Sequence, residues 1–386
     1  MKTNWQTKKL GEVCDVIAGQ SPEGKFYNKS RNGLPFYQGK KEFGEELIGE
    51  PTTWTTKITK EALDGDILIS VRAPVGPTNF ATEKICIGRG LAAIRVGKNI
   101  DKYFLFNFLQ LFKSEIIGNK GAVFDSISKT QIENIEIPFP PLPEQDRIVK
   151  ILNEVFSKIK LAKKNTEENL QNSKELFESY LSDVFMNGGG DWETVELNKY
   201  VKFIDYRGRT PKKTPSGIKL ITAKNIKKGF LQRLPEEFIH PDNYEAWMTR
   251  GIPHKGDVLF TTEAPLANVA QLDTDKKVAF AQRTIIFQPD LKKINQSFLK
   301  YLILSNPMQK KILEKGTGAT VKGIKSRLLK KIQISFPPLT TQKRIISKLD
   351  ILSKKTKNLE DIYQQKIDDL DELKKSVLQK AFAGEL

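Results

Sequence analysis

Few side chains in this sequence have the types and spacing that catalysis requires. The two histidines, His240 and His254, have neither a cysteine nor a carboxylate at metal-ligand spacing, so the sequence predicts no metal site. Asp242 and Glu245 are placed as in part of a nuclease carboxylate pair, but no lysine stands two residues after Glu245. We interpret that pair as accidental, and no metal-dependent hydrolysis is predicted.

Two segments match catalytic motifs only in part. The Phe-Pro-Pro-Leu run at residues 139–142 lacks the amide or carboxylate with which amino-methyltransferases hold a target amino group. No Gly-x-Gly-x-x-Gly turn is present to bind S-adenosylmethionine, so we interpret these prolines as punctuation before a helix. The segment 316–323 has the composition of a phosphate-binding loop, but Lys322 is followed by Gly323 rather than Ser or Thr. It is predicted to contact a DNA backbone rather than ATP.

The remaining polar side chains of interest lie in basic, glycine-punctuated loops at matched places in the two halves of the chain. Arg, Gln and Asn can read base edges through paired hydrogen bonds, whereas Lys mostly meets phosphate. A lysine-rich solvated surface is the other interpretation, and the set as a whole favours DNA. The candidate DNA-binding residues are Ser21, Lys25, Gln38, Lys40, Lys41, Arg72, Arg89, Arg207, Arg209, Lys212, Lys213, Lys224, Asn225, Arg283, Lys322 and Lys325.

Two long helices are predicted to position these loops. Residues 144–187 and 339–383 contain neither Gly nor Pro, and apolar residues recur in them at alternating spacings of four and three. That spacing is typical of a seam along which helices pack together. The predicted helix-pair interface contains Ile148, Leu152, Val155, Ile159, Phe177, Ile345, Leu349, Leu352, Leu359, Tyr363 and Leu370.

The chain is an internal repeat. A shift of 197 residues superposes the two helices, and matched landmarks elsewhere are 187 to 197 residues apart, so the loops differ while the framework repeats. The predicted parts are a globular domain (1–142), a long helix with a glycine linker (143–190), a second globular domain (191–339) and a second long helix (340–386). Each globular domain is predicted to be α+β with a mainly antiparallel sheet. Single amphipathic helices are predicted at 101–117 and 296–313.

The composition indicates the kind of partner and the cellular compartment. Sixty-three Lys and Arg residues against 46 Asp and Glu residues give a net charge of +17, which favours a polyanionic partner. The two cysteines, Cys14 and Cys86, cannot form a disulfide framework, and we predict that both are buried small residues. No apolar run approaches the length of a membrane span, and residues 1–5 begin no signal peptide. The sequence therefore predicts a cytoplasmic protein.

The chain resembles the specificity (HsdS) subunits of type I restriction-modification systems. The resemblance rests on two domains that open near Trp-x-x-x-x-Leu and on two Phe-Pro-Pro-Leu-x-x-Gln-x-Arg-Ile segments, at 139–148 and 336–345. The closing residues 381–386 also match that family, whereas Pro143-Glu144 becomes Thr340-Thr341 in the second copy. The recognition loops vary in this family, so the resemblance assigns no individual DNA contact.

The resemblance implies a non-catalytic subunit that binds double-stranded DNA. Two target-recognition domains, related by a pseudo-two-fold axis, would each read half of a bipartite, asymmetric target. The antiparallel helix pair would set the spacer and dock two modification (methyltransferase) subunits. No cofactor is expected on this chain: S-adenosylmethionine would come with the modification subunits, and ATP and Mg with the restriction subunits.

Three other interpretations remain open on the residues alone. The first is a stand-alone DNA-binding or regulatory protein with the same architecture. The second is the recognition portion of a single-chain restriction enzyme, although that would need fused catalytic motifs. The third is a coiled-coil scaffold that binds only protein, whose DNA binding would show little of the steep salt dependence expected from phosphate neutralisation.

Overall fold

The computed structural model describes residues 5–118, 126–208, 210–318 and 322–386, with no account of the side chains of 113–118. It divides into two compact units. Unit 1 comprises Met1–Thr166 and Gln365–Leu386, and unit 2 comprises Glu167–Gln364. Both boundaries therefore fall inside the long helices, and each unit contains part of both helices.

Unit 1 is built on short strands whose Val-, Ile- and aromatic-rich runs are separated by glycine turns. Its strands are β1 (Gln6–Lys9), β2 (Cys14–Ala18), β3 (Tyr27–Asn28), β4 (Leu34–Tyr37), β5 (Trp54–Thr55), β6 (Glu61–Ala62), β7 (Ile67–Ser70), β8 (Thr78–Phe80), β9 (Ile85–Ile87), β10 (Leu91–Val96) and β11 (Glu136–Phe139). Its helices are α1 (Leu10–Val13), α2 (Lys102–Gly118), α3 (Lys129–Glu133) and the first part of α4 (Leu142–Met186), with 3-10 turns at Gly24–Phe26 and Lys40–Glu42.

Unit 2 follows a similar order. Its strands are β12 (Glu193–Glu196), β13 (Val201–Asp205), β14 (Lys213–Thr214), β15 (Ile218–Ile221), β16 (Phe238–Ile239), β17 (Val258–Thr261), β18 (Val269–Gln271), β19 (Val278–Phe280), β20 (Thr284–Pro289) and β21 (Gln333–Phe336). Its helices are the last part of α4, α5 (Leu197–Tyr200), α6 (Tyr244–Trp247), α7 (Gln296–Leu304), α8 (Asn306–Glu314), α9 (Ser326–Lys330) and the first part of α10 (Leu339–Phe382), with a 3-10 turn at Pro241–Asn243.

The central sheet has the same antiparallel topology in both units. Its strand order is β2-β10-β7-β8 in unit 1 and β13-β20-β17-β18 in unit 2. A second sheet in each unit contains one parallel pair, β4 with β9 and β15 with β19. A two-stranded sheet, β1-β11 or β12-β21, joins the start of each domain to the strand that leads into its long helix. The predicted mainly antiparallel α+β repeat is confirmed.

The helix predicted at 296–313 is wrong in one respect, because the structure has two helices there. Helix α7 ends before Ser305, whose backbone is extended, and α8 begins at Asn306 with Pro307 in its first turn. Proline lacks an N–H and clashes with the preceding turn inside a helix, but it fits the first turn of a new one. In unit 1, where no proline interrupts the segment, α2 is continuous.

A fully buried glutamine attaches each long helix to its globular domain. The Gln145 amide accepts from Asp101 N at 2.8 Å and donates to Asn99 O and Pro140 O. Gln342 does the same with Asn295 N, Lys293 O and Pro337 O, each at 2.8 Å. Both side chains are completely inaccessible. The glutamine of the repeated motif therefore satisfies three backbone groups that would otherwise be buried without partners.

The long helices contribute to the core of each unit. In unit 1, Ile148 and Leu152 of α4 belong to one apolar cluster with Leu378 and Phe382 of α10. In unit 2, Phe177 near the end of α4 packs against the cluster that contains Leu349, near the start of α10, with Ile345 beside it. The end of one helix thus lies with the start of the other in each unit, which is antiparallel packing.

The predicted seam residues differ widely in burial. Ile148, Leu152, Ile159 and Leu349 are buried, whereas Val155, Phe177, Ile345, Leu352, Tyr363 and Leu370 are partly buried. Leu359 is 38% exposed, and its place in the helix-pair interface stays a prediction. Buried hydroxyls take several seam positions instead, since Thr166, Ser173 and Thr356 each donate to a carbonyl of their own helix. A hydroxyl satisfied in this way can be buried without a partner on another helix.

Within the described ranges, no helix has both the length and the apolar character needed to cross a lipid bilayer.

Candidate nucleic-acid interface

Four loops meet at one end of the central sheet in each unit. Because β10 runs antiparallel to β2 and β7, its start lies beside their ends, and the same holds for β20 with β13 and β17. The described residues just before the short helix, 126–128 before α3 and 323–325 before α9, form the fourth member. The four loops line a cleft of about 260 Å³ in unit 1 and about 390 Å³ in unit 2.

Backbone hydrogen bonds establish which positions of the two clefts correspond. Val71 N donates to Gly90 O at 3.0 Å, and Thr262 N donates to Arg283 O at 2.9 Å. Arg72 and Glu263, one residue further on, form isolated bridges with Ser126 and Gly323 respectively. Arg72 therefore corresponds to Glu263, and Gly90 corresponds to Arg283. By the same alignment, Arg89 corresponds to Gln282. The same backbone carries different side chains in the two clefts.

In unit 1 the structure brings three predicted residues together. Ser21 donates to the Gln38 side chain at 2.9 Å and accepts from Arg89 N at 3.1 Å. The backbones of Gly88 and Gly90 lie directly against Gln38, and a β-carbon on Gly90 would lie 2.5 Å from the backbone oxygen of Gln38. Only glycine fits at position 90 without a shift of the backbone. Arg89 is therefore held at a fixed place on the cleft wall with its side chain exposed.

In unit 2 an aspartate holds Arg207 in the corresponding cleft. The Arg207 guanidinium donates to Asp205 at 2.9 and 2.7 Å, a fork-like pairing with a carboxylate. Burial acts to raise the pKa of Asp205, but hydrogen bonds from Arg207 outweigh it and hold that pKa below its ordinary value. Arg250, which the sequence reasoning missed, donates to Asp205 O at 2.6 Å and Arg207 O at 2.9 Å and braces this loop.

Arg283 is also held by an acid. Its side chain lies 2.9 Å from Glu263, and both groups are about half exposed. The Arg283 backbone has φ of 71°, in the left-handed region that non-glycine residues rarely adopt. Such a conformation is kept only where the surroundings over-determine it, and it is common at binding sites. The cleft of unit 2 thus presents a fixed Arg and Glu where unit 1 presents Gly90 and Arg72.

The other predicted cations divide by whether an acid neutralises them. Lys25 pairs with Glu23 at 2.6 Å and Lys213 with Glu237 at 2.8 Å. The candidate cations that are exposed, and that form no ion pair within the described ranges, are Lys40, Lys41, Arg72, Arg89, Lys212, Lys224, Lys322 and Lys325. Cations without an acidic neighbour are the ones free to neutralise phosphate.

The structure does not support Asn225 as a DNA contact. Its side chain is buried, accepts from Thr222 N at 3.0 Å and donates to Gln232 O and Pro235 O. Asparagine commonly organises turns in this way, because its amide mimics a backbone group. Its neighbour Lys224 is exposed. Arg209, also predicted to contact DNA, lies outside the described residues.

Comparison with known proteins identifies the family. The family model described as the type I restriction modification DNA specificity domain matches twice, at residues 2–172 and 189–367. The chain belongs to this family. The two matches coincide with the two repeats, and the specificity subunits of these systems are non-catalytic.

Individual relatives carry the same description. A putative MjaX specificity subunit from Methanocaldococcus jannaschii is 45% identical over 170 residues, which span 43% of this chain and 40% of that protein. The MjaVIII specificity subunit of the same organism is 23% identical over 99% of this chain and 93% of its own length.

Two solved structures share the fold. One, from work on complex assembly and conformational transition of a type I restriction-modification system, aligns over 99% of this chain and 98% of its own length, with a TM-score of 0.81 and 20% identity. The HsdS subunit of Thermoanaerobacter tengcongensis aligns over 99% of this chain and 97% of its own length, with a TM-score of 0.59 and 19% identity. Two specificity repeats, each with a long helix, are therefore the shared architecture.

Proposed function

We propose that this chain is the DNA-reading subunit of a type I restriction-modification complex, and that each repeat reads one half of a bipartite target. The observation that carries the proposal is the repeated cleft. One backbone frame presents Arg72 and Arg89 in unit 1, but Glu263, Gln282 and Arg283 in unit 2. Different side chains on one frame read different bases, so the target is asymmetric.

The two sets of side chains differ in the bases that they fit. Arginine makes its best paired contact with guanine, glutamine with adenine, and glutamate accepts from cytosine. Unit 1 therefore favours guanine at the positions that Arg72 and Arg89 reach. Unit 2 suits a mixed half-site. The exposed lysines outside the clefts contribute affinity through phosphate, with no preference among sequences.

The long helices provide the spacing between the half-sites. Helix α4 has 45 residues and α10 has 44, so each is roughly 66 Å long at the usual rise per residue. A rod of that length is suited to act as a ruler. The same helices offer docking surface for two modification subunits, and restriction subunits complete the complex.

Cofactors belong to the partner subunits in this proposal. S-adenosylmethionine is bound by the modification subunits, and ATP and Mg by the restriction subunits. The complex works in the cytoplasm, where its DNA substrate is found.

The test is methylome sequencing of a host that carries the cognate methyltransferase with and without this chain. A split, asymmetric N6-methyladenine motif is expected only when the chain is present. Exchange of residues 191–339 for those of a homologue serves as the matched control and is expected to change one half of the motif. An unchanged methylome on deletion, or a domain exchange that alters both halves, contradicts the proposal.

A further inference from the structure

Unit 2 contains a cavity of about 540 Å³ where α4, α7 and α10 meet the loop that follows β15. Its walls are mainly apolar and include Phe177, Leu181, Phe230, Tyr301 and Leu304. Phe230 remains 59% exposed at the rim. A mainly apolar concavity of this size is typical of a binding site rather than of a packing defect.

Unit 1 has larger side chains at the corresponding positions. Asp101 and Asn295 make the same contact with the buried glutamine of their unit, so these two positions correspond. By that alignment, Phe106 of unit 1 corresponds to Lys300 of unit 2. With the shift of 197 residues between the long helices, Phe156 corresponds to Ser353 and Ile159 corresponds to Thr356. Phe106 is buried and stacks on Phe80 with ring centroids 4.5 Å apart. The cavity of unit 2 therefore arises where Lys, Ser and Thr replace Phe, Phe and Ile.

The cavity is also lined by a partly buried cation, Lys300, for which no ion pair is seen within the described ranges. Its ammonium lies 4.2 Å from the Tyr301 ring centre. Burial lowers the pKa of Lys300, and the Asp350 charge opposes part of that effect. The Asp350 carboxylate already accepts a 2.5 Å hydrogen bond from Tyr301. A carboxylate from outside the chain would compensate the Lys300 charge.

The other charges at the cavity are already paired. Lys228 lies 2.6 Å from Glu178, and Lys357 lies 2.9 Å from Asp361 and 3.9 Å from Glu360. Lys300 is therefore the lining cation that a ligand carboxylate would meet.

The cavity continues into an open depression along α8. Asn306 lines both, and the depression, of about 450 Å³, is also lined by Lys310, Leu313, Glu314 and Lys322. Leu313 is 40% exposed. The combined surface alternates apolar side chains with lysines over more than one concavity. That pattern fits an extended stretch of polypeptide better than a small molecule.

We propose that an acidic, amphipathic segment of a methyltransferase subunit docks in this cavity, with an apolar side chain against Phe177 and Tyr301 and a carboxylate at Lys300. This inference rests on the proposed function. Because unit 1 has Phe106, Phe156 and Ile159 in the corresponding places, only one of the two methyltransferase copies uses such an anchor. The two copies are then held with unequal affinity.

Native mass spectrometry of the full chain with its cognate methyltransferase tests this asymmetry. Thr356→Ile introduces the residue that unit 1 has at the matched position, and Lys300→Met removes the charge with little loss of volume. Each is expected to raise one of the two methyltransferase dissociation constants at least tenfold, so that a 1:1 complex accumulates where the wild type is 2:1. Lys354→Met, an exposed substitution on α10 outside the cavity lining, is the matched control and is expected to remain 2:1.

The outcomes separate the inference from the function on which it rests. Failure of the wild-type chain to bind any methyltransferase overturns the proposed function. Normal 2:1 assembly of a correctly folded Lys300→Met protein overturns the docking inference alone, as does equal weakening of both copies. Thermal unfolding and DNA binding of each variant report whether the fold is intact. A small carboxylate released from denatured wild-type protein, but not from Thr356→Ile, would also overturn it.

Discussion

Arg89 stands between two glycines that pack directly on Gln38, so its backbone position is fixed while its guanidinium is exposed in the cleft. We expect Arg89→Gln to change the preferred base at one position of one half-site, at a cost of about 1–3 kcal/mol for the original base. Methylome sequencing or selection from random duplexes measures the change.

Lys40→Ala is the control for that substitution. Lys40 is exposed in a 3-10 turn next to the cleft residues, without an ion pair within the described ranges. It is expected to weaken binding to all sequences about equally and to reduce the salt dependence of binding by about one phosphate contact. If Arg89→Gln behaved like Lys40→Ala, Arg89 would be a phosphate contact rather than a base contact.

The sequence predicted the class of side chain at this surface better than the role of each member. Lysine and arginine excess in matched loops is visible in the composition, but neutralisation depends on acids distant in sequence, as with Arg283 and Glu263 or Lys213 and Glu237. Asn225 is a candidate from the sequence because asparagine can read base edges, although in the fold its amide organises its own loop. Arg250 gave no signal, because its bonds are to backbone carbonyls 43 and 45 residues away.

At the scale of elements, the buried glutamines determine how each long helix leaves its domain. Gln342→Ala is expected to destabilise the protein by about 2–4 kcal/mol, because it leaves Asn295 N, Lys293 O and Pro337 O buried without partners. Calorimetric unfolding measures the loss. The exposed Gln379 on the same helix provides the control, since Gln379→Ala is expected to change stability by less than about 0.5 kcal/mol. Equal effects of the two substitutions would contradict the attachment role.

The order of helices and strands could be predicted because the same sequence pattern occurs twice in the chain. Two copies of the Phe-Pro-Pro-Leu motif and a common helical spacing located both long helices, while the role of the motif glutamine required the fold to be seen. The spacing alone could not rank the seam residues. Leu349 is completely buried because it packs on the core of unit 2, whereas Leu359, on the same helical pattern ten residues later, remains 38% exposed.

At the scale of the whole molecule, the proposed ruler makes a geometric prediction. Insertion of four residues at matched points of α4 and α10 is expected to lengthen the helix pair by about 6 Å. The spacer of the target should then grow by roughly two base pairs, at 3.4 Å each, with both half-sites unchanged. The modification motif reports both quantities. Four residues inserted into the glycine linker at 188–190 are the control and should leave the spacer unchanged; an altered half-site would contradict the ruler.

The composition of unit 1 has a consequence for the order of events during synthesis. Its core includes Leu378, Ala381 and Phe382 from the end of α10. The ring centroid of Phe382 lies 5.1 Å from that of Phe104 and 5.3 Å from that of Phe108. Unit 1 is made of Met1–Thr166 and Gln365–Leu386, and all of unit 2 is translated between these two segments. At about 5–20 residues per second, the ribosome needs on the order of 10–40 s to pass from Thr166 to Phe382. During that interval the aromatic face of α2 is uncovered, exposed to chaperones and to neighbouring nascent chains. The middle of this protein can finish folding before its beginning does.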